Sequence, residues 1–367
     1  MSFFQNHSSW PLVELKNIAT LKRGYDLPTK LRVEGEVPIY AANGRNGTHN
    51  EVKIKGPGVI TGRSGTIGKV HYTEDDYWPL NTALYVTNFH GNDPRWVYYM
   101  LSAFKLERFV EGAGVPTLNR NLVHDELIPL PPLDEQKRIA AILDKADAIR
   151  QKRKQAIALA DEFLRSVFLE MFGDPVTNPK GWEVYKMSDV IEFKGGHQPP
   201  KSTFVYEPQD GYVRLIQIRD FKTDKYVTYI PEEKAKRKFE KDDVMIARYG
   251  PPVFQILRGL SGSYNVALMK ASPVEGKITK DFIFHLLQLP AYHDVIVANS
   301  ERTAGQTGVN LELLNNFKVP LPDIGIQREI VKKLNRMEKV IESLKNCECD
   351  EASLFKALSQ KAFSGQL

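Results

Sequence analysis

The chain repeats itself. Around Trp10 it reads W-P-L-V-E-L-K-N-I-A-T-L-K-R-G, and around Trp182 it reads W-E-V-Y-K-M-S-D-V-I-E-F-K-G-G. Leu12 falls on Val184, Leu15 on Met187, Ile18 on Val190 and Leu21 on Phe193, followed by Lys22 on Lys194 and Gly24 on Gly196. Further along, V-I-T-G-R-S-G ending at Gly65 matches M-I-A-R-Y-G ending at Gly250 across a one-residue gap, which pairs Arg63 with Arg248. N-T-A-L from Asn81 matches N-V-A-L from Asn265. The two copies close on P-L-P-P-L-D-E-Q-K-R-I from Pro129 and P-L-P-D-I-G-I-Q-R-E-I from Pro320, which sets Gln136 over Gln327 and Ile139 over Ile330. That register also carries Leu164, Arg165 and Phe172 onto Phe355, Lys356 and Phe363. Preserved order over so many positions means two copies of one architectural plan, and 367 residues give each copy its own core. The stretches between matched positions diverge, as expected of a fixed frame carrying two different sets of loops.

In the first copy, β-rich runs at 37–40, 58–61, 69–72 and 83–86 lie between clusters of Gly, Asn and Asp. A helical stretch follows at about 94–109, where Trp96, Tyr99, Met100 and Phe104 stand near helical spacing. The second copy offers strands at 213–218 and 244–247 and a helix near 281–298. The expected fold class is α+β, with two mixed α/β domains at 1–128 and 175–318, richer in strand than in helix. Spacer helices follow them at 129–174 and 319–367.

The Pro-rich stops before each spacer cannot lie inside a helix. From about 134 to 172, Ile139, Ile142, Ala146, Ile149, Ala156, Ala160, Phe163 and Val167 alternate steps of three and four, with Arg153 as a polar intruder. From about 326 to 363, Ile330, Met337, Val340, Leu344, Cys347, Leu354 and Leu358 keep the same spacing, with Lys333 and Glu351 out of pattern. These are coiled-coil seams, each about 55 to 60 Å long at 1.5 Å per residue. A helix this long with one apolar stripe needs a partner, and the other helix of the same chain is available. Antiparallel pairing would give a pseudo-two-fold molecule with a domain at each end.

Composition bounds function more loosely. A net charge of +5 permits a polyanionic partner without demanding one. The two cysteines, Cys347 and Cys349, give neither a disulfide framework nor a zinc site, and the start lacks a signal peptide, so a cytoplasmic setting is expected. No apolar run approaches the length that spans a bilayer. A DNA methyltransferase would carry an Asn/Asp-Pro-Pro-aromatic motif, and the nearest string, Gly250-Pro251-Pro252-Val253, lacks both ends of it. The segment 62–69 is one residue too long for a phosphate-binding loop and is followed by Val70 in place of Ser or Thr. The histidines show no metal-ligand spacing.

In this combination the chain resembles the specificity subunits of type I restriction–modification systems over essentially its full length. The resemblance is carried by P-L-P-P-L-D-E-Q-K-R-I-A, by F-L-R-S-V-F-L-E-M-F-G-D at 163–174, by T-G-R-S-G-T-I-G-K at 61–69 and by the terminal K-A-F-S-G-Q-L. It implies that each globular half is a target-recognition domain reading one half of a split, asymmetric target in double-stranded DNA, while the helices set the spacer. It also implies docking of two methyltransferase subunits and assembly with restriction subunits. The chain itself would be non-catalytic and free of cofactors, with S-adenosylmethionine, ATP and magnesium on the partners, and no membrane involved. The alternative is a recognition subunit serving a type II-like or stand-alone DNA methyltransferase system.

Reading base edges takes Arg, Lys, Asn or Gln on loops with room for close approach. In the first half these are Asn43, Arg45 and Asn46 in 42–47, Arg63, Ser64 and Lys69 in 62–69, and Thr117 and Asn119 in 112–120. In the second half they are Arg248 and Tyr249, Arg302, Gln306 and Thr307 in 302–310, and Gln217 with Arg219, expected on one strand face. Arg63 and Arg248 occupy the same point of the repeat. Asn119 and Asn310 also correspond, and an Asn there equally suits a helix cap. The basic run 150–154 is offset by Asp144, Asp147, Asp161 and Glu162, which leaves it at most long-range steering.

Overall fold

The computed structural model describes residues 3–112, 116–250, 252–300 and 308–367, and the side chains of all of these except 343–353. The chain divides into two units, Met1–Ala156 with Lys345–Leu367, and Ile157–Leu344. In the first, an antiparallel sheet runs in the order Thr20–Arg23, Ala83–Asn88, Gly58–Gly62, Val70–Thr73. In the second, the sheet runs Ile191–Gly195, Leu268–Pro273, Val244–Ala247, Ile256–Leu257 in the matching order. A smaller three-stranded sheet accompanies the first and a four-stranded one the second.

One face of each main sheet is apolar and packs on a helix. Leu21, Val59, Leu84 and Val86 meet Trp96, Val97, Met100 and Leu101 of the helix Pro94–Ala103. Ile191, Val244, Ile246, Met269 and Ala271 meet Phe282, Ile283 and Leu286 of Lys280–Leu286. Each large side chain in these layers contributes about 1.5 to 3 kcal/mol by leaving water. The expected helix near 281–298 is in fact two, because Pro290 cannot continue the first and instead starts Pro290–Ser300.

The repeated glutamine locks each long helix to its sheet domain. Asp93 caps Pro94–Ala103 by accepting from the Trp96 amide at 2.7 Å, and Thr279 caps Lys280–Leu286 by accepting from Phe282 at 3.2 Å. The amides of these two caps donate to Gln136 Oε1 at 2.9 Å and Gln327 Oε1 at 3.0 Å. The Gln136 amide group donates onward to Pro131 O and Asn92 Oδ1, and that of Gln327 to Pro322 O and Lys277 O. Both glutamines are buried. Gln136→Ala is expected to lower the stability of the first unit by about 2 kcal/mol, because it strands a buried amide and a carbonyl. Chemical denaturation checks it, and an unchanged midpoint would dismiss the lock.

The long helices span Leu133–Phe172 and Ile324–Ser364. In the first unit they run antiparallel: Arg138 donates to Leu367 O, Ile139 and Leu143 share a core with Ala362 and Phe363, and Arg150 lies over Phe355. In the second unit Phe168 and Phe172 share a core with Ile330, Val331 and Leu334. The expected seam is met only in part: Ile139 and Ile330 are buried and Val167 and Leu358 pack against the cores, but other positions do not. Ile149 and Phe163 are 61% and 57% exposed, while Leu143, Ile157 and Phe168 are buried. Val340 and Leu354 likewise give way to Ile341, buried, and Phe355, half-buried. Several steps of three and four fit one helix, and a one-residue change of phase selects a different face. Leu344 and Cys347 lie outside the described side chains.

His285 is enclosed beside Phe168, 3.8 Å from Glu338, with Arg258 nearby. Burial first, and the Arg258 charge second, push its pKa down from 6.5 to about 4. The unfolded chain therefore takes up this proton before the folded one. The His285 contribution is fully present above pH 6.5 and is lost as pH falls toward 4, by up to about 3 kcal/mol. His285→Gln should flatten that slope in a denaturation series at stepped pH, and a slope identical to that of the parent would refute the assignment.

Candidate nucleic-acid interface

Strand register aligns the two units residue by residue. Lys22 pairs with Tyr85 and Lys194 with Lys270, while Gly62 pairs with Ala83 and Ala247 with Leu268. Arg63 and Arg248 therefore do occupy equivalent positions, and Val59 to Gly65 follows Val244 to Gly250 without the expected gap. The N-T-A-L and N-V-A-L match is off by one: register places Leu84 over Met269 and not over Leu268. Three identical letters out of four carry less information than a hydrogen-bonded ladder.

Each of these arginines leaves its strand at the same built corner. The Arg63 amide donates to Thr82 O at 2.9 Å and its carbonyl accepts from Leu118 at 2.8 Å. The Arg248 amide donates to Ala267 O at 2.8 Å and its carbonyl accepts from Val309 at 3.0 Å. Ser64 bridges to Thr117, and Tyr249 bridges to Gly308. Gly65 and Gly250 follow with φ of 80° and 88°, a left-handed turn that favours glycine. Three contacts and a glycine turn, each made twice, hold the arginine stem on a rigid strand end.

The surroundings of the two corners differ. In the first unit, Arg63, Thr117 and Asn119 line an open cleft of about 540 Å³ together with Arg23, Arg120 and Glu111. Arg63 spends one donor on Asn81 O at 3.3 Å. In the second unit the residue equivalent to Arg23 is Gly195, and the Arg248 guanidinium lies over the space a Cβ there would take, 3.6 Å away. Arg248 also stacks on Tyr249, 5.0 Å from the ring centre. The position after the capping Asn is Arg120 in one unit and Leu311 in the other. Arg120 closes the 112–120 segment already singled out in the sequence, whereas Arg23 was invisible there because the cleft gathers separate segments.

The remaining candidates sort differently. Asn119 and Asn310 both cap helices, accepting from Asn121 and Leu313 at 3.0 Å each, and Asn119 also donates to Glu111 at 2.7 Å. Of the two uses weighed for these residues, capping is the one the geometry shows. Asn43, Arg45 and Asn46 are exposed, but they belong to a hairpin and not to a long loop: Gly44–His49 is a strand paired with Val37–Ala41. Asn46 accepts from Arg32 through both its carbonyl and its side chain. Lys69 is exposed at the far end of the turn joining Gly58–Gly62 to Val70–Thr73. Gln217 and Arg219 do not share a strand face, because the strand stops at Ile216 and Asp220 closes a capping box that turns Ile218–Phe221 into a 3-10 helix. Arg302, Gln306 and Thr307 lie outside the described residues.

A family model described as the type I restriction modification DNA specificity domain matches residues 7–159 and again 179–348. The chain belongs to this family. The double match falls on the two copies of the repeat. Among curated members of the type I specificity family, the MjaVIII specificity subunit of Methanocaldococcus jannaschii is 23% identical over 283 residues, 68% of this chain and 64% of the relative. The EcoBI specificity subunit of Escherichia coli is 24% identical over 316 residues, 74% and 65% of the two chains. The chain thus spans just under two thirds of the length of these two relatives. A putative type I specificity subunit of Mycoplasma pneumoniae, S.MpnORF507P, is 25% identical and covers 88% and 87%. The crystal structure of a type I S subunit from M. genitalium superposes with a TM-score of 0.58 at 15% identity, covering 98% and 97%. A chain from work on complex assembly and conformational transition of the type I system gives 0.55 at 17%, covering 99% and 100%. At these identities the structural likeness establishes the type I specificity fold: mixed α/β domains with long helices. Among the described residues, no His, Cys, Asp or Glu cluster is arranged to hold a metal, and no helix is long and apolar enough to cross a membrane.

Proposed function

We propose that this chain is the non-catalytic DNA-recognition subunit of a type I restriction–modification complex, each unit reading one half of an asymmetric bipartite target. The observation that carries this reading is the identical arginine corner set in unlike surroundings. A guanidinium on a rigid strand end suits bidentate contact with guanine in the major groove. The first unit adds Arg23 and Arg120 around Thr117, and the second replaces them with glycine and leucine beside a tyrosine. One frame with two readers specifies two different half-sites. The reading residues are those named from the sequence, led by Arg63 with Ser64, Thr117 and Lys69, and by Arg248 with Tyr249.

The exposed pair Leu159 and Phe163, one turn apart on the first long helix, supports docking of a methyltransferase subunit along that helix. S-adenosylmethionine, ATP and magnesium then reside on methyltransferase and restriction subunits. Incubating the chain with duplex DNA and methyl-labelled cofactor, with and without the methyltransferase subunit, tests the division of labour. Label is expected only when the two proteins are combined, and incorporation by this chain alone would overturn the reading. A partner methyltransferase encoded without a translocase would favour the stand-alone system instead.

A further inference from the structure

We infer that the second long helix carries a sequence-independent binding track for the phosphate backbone of duplex DNA, formed by Arg328, Lys332, Arg336 and Lys339. This rests on the chain being a DNA reader. The four side chains line one side of an open groove of about 480 Å³, with Thr279, Asp281 and Asn335. They recur at steps of four, four and three, so they share one helix face over about 16 Å. The groove takes a partner of strong negative charge, because Asp281, the carboxylate that lines it, and the neighbouring Glu338 are already committed. Asp281 pairs with Arg258 at 3.1 Å and Glu338 pairs with the same arginine at 2.9 Å. None of the four cations makes an ion pair with a described residue.

The scaffold does not require these charges. The Gln136 and Gln327 locks fix the register between the helices, and the first helix then offers Lys137, Ala141, Lys145 and Ala148 at the same four points. Asp144 stands where the second has Asn335, held there by Arg95 and Tyr99 at 2.6 and 2.7 Å. An unpaired cationic row on one helix and a diluted one on the other is an added feature. Flexible cations strung along a helix face suit phosphates, which supply charge along the whole strand, more than base edges.

The test uses the full chain with its methyltransferase partner, a target duplex and a salt series from 50 to 200 mM. Arg328→Gln, Lys332→Gln, Arg336→Gln and Lys339→Gln are combined. Each phosphate contact contributes about 0.9 to the slope of log affinity against log salt, so the variant should be shallower by about 3 to 4. Over that fourfold interval it should lose about a hundredfold less affinity than the parent. Lys332→Gln alone should change the slope by about 0.9, and preference among half-sites should not move. An unchanged slope in a complex that binds DNA overturns this inference alone, and if capture of the methyltransferase subunit falls instead, the row docks protein. A parent complex that does not bind duplex DNA at all overturns the reader as well.

Discussion

Arg63→Ala is expected to weaken recognition of one half-site and leave the other intact, and Arg248→Ala to give the mirror result. Backbone bonds to Thr82 and Leu118 hold the Arg63 stem, and only one guanidinium donor is engaged by Asn81. The other donors are free to pair with a base edge, where a bidentate contact contributes about 1 to 3 kcal/mol. That corresponds to roughly a 5- to 150-fold loss on duplexes carrying the correct half-site. Methylation by the assembled complex, measured on duplexes altered in one half-site at a time, separates the two variants. Equal loss at both half-sites would contradict a unit-by-unit reader.

Gly24→Ala and Gly196→Ala are each expected to destabilise their own unit by about 3 kcal/mol or more. These glycines occupy the same point of the repeat, just past the first strand of each main sheet. A Cβ on Gly24 would lie 2.3 Å from the Leu80 carbonyl oxygen, and one on Gly196 would lie 1.9 Å from that of Asn265. Neither obstacle is a side chain that can swing aside, so backbone must move and the sheet edge with it. The demand here is for space and not for unusual dihedrals. Denaturation should show the affected unit melting early while the other keeps its midpoint. Parent-like stability in either variant would mean that the close approach is not real.

The same pair of glycines shows how much of the molecule is legible in its sequence. Repetition pointed to them, to the glutamine lock and to the arginine corner, because each is demanded by backbone geometry that both copies share. Register escaped. The N-T-A-L match slipped by one residue, and the helical seam lost its phase at Ile149, Phe163, Val340 and Leu354, since short apolar patterns tolerate neighbouring phases that only packing distinguishes. Gln217 and Arg219 went to a strand because nothing in V-R-L-I-Q-I announces that Asp220 will cap the chain into a 3-10 turn. The candidate cleft was mostly visible: Arg63 and the 112–120 segment with Thr117 and Arg120 stood out in Gly-rich stretches, whereas Arg23 on a strand joins them only through long-range folding.

Under the proposed two-reader function, the unlike surroundings of the two arginines are expected to select an unlike pair of half-sites. Single-molecule methylation mapping of genomic DNA from cells expressing this chain with its methyltransferase partner tests that expectation directly. Two different short sequences separated by a spacer of fixed length are expected at every modified site, with the Arg63→Ala variant relaxing the constraint on one of them. A palindromic target, or one contiguous sequence without a spacer, would contradict the two-reader account.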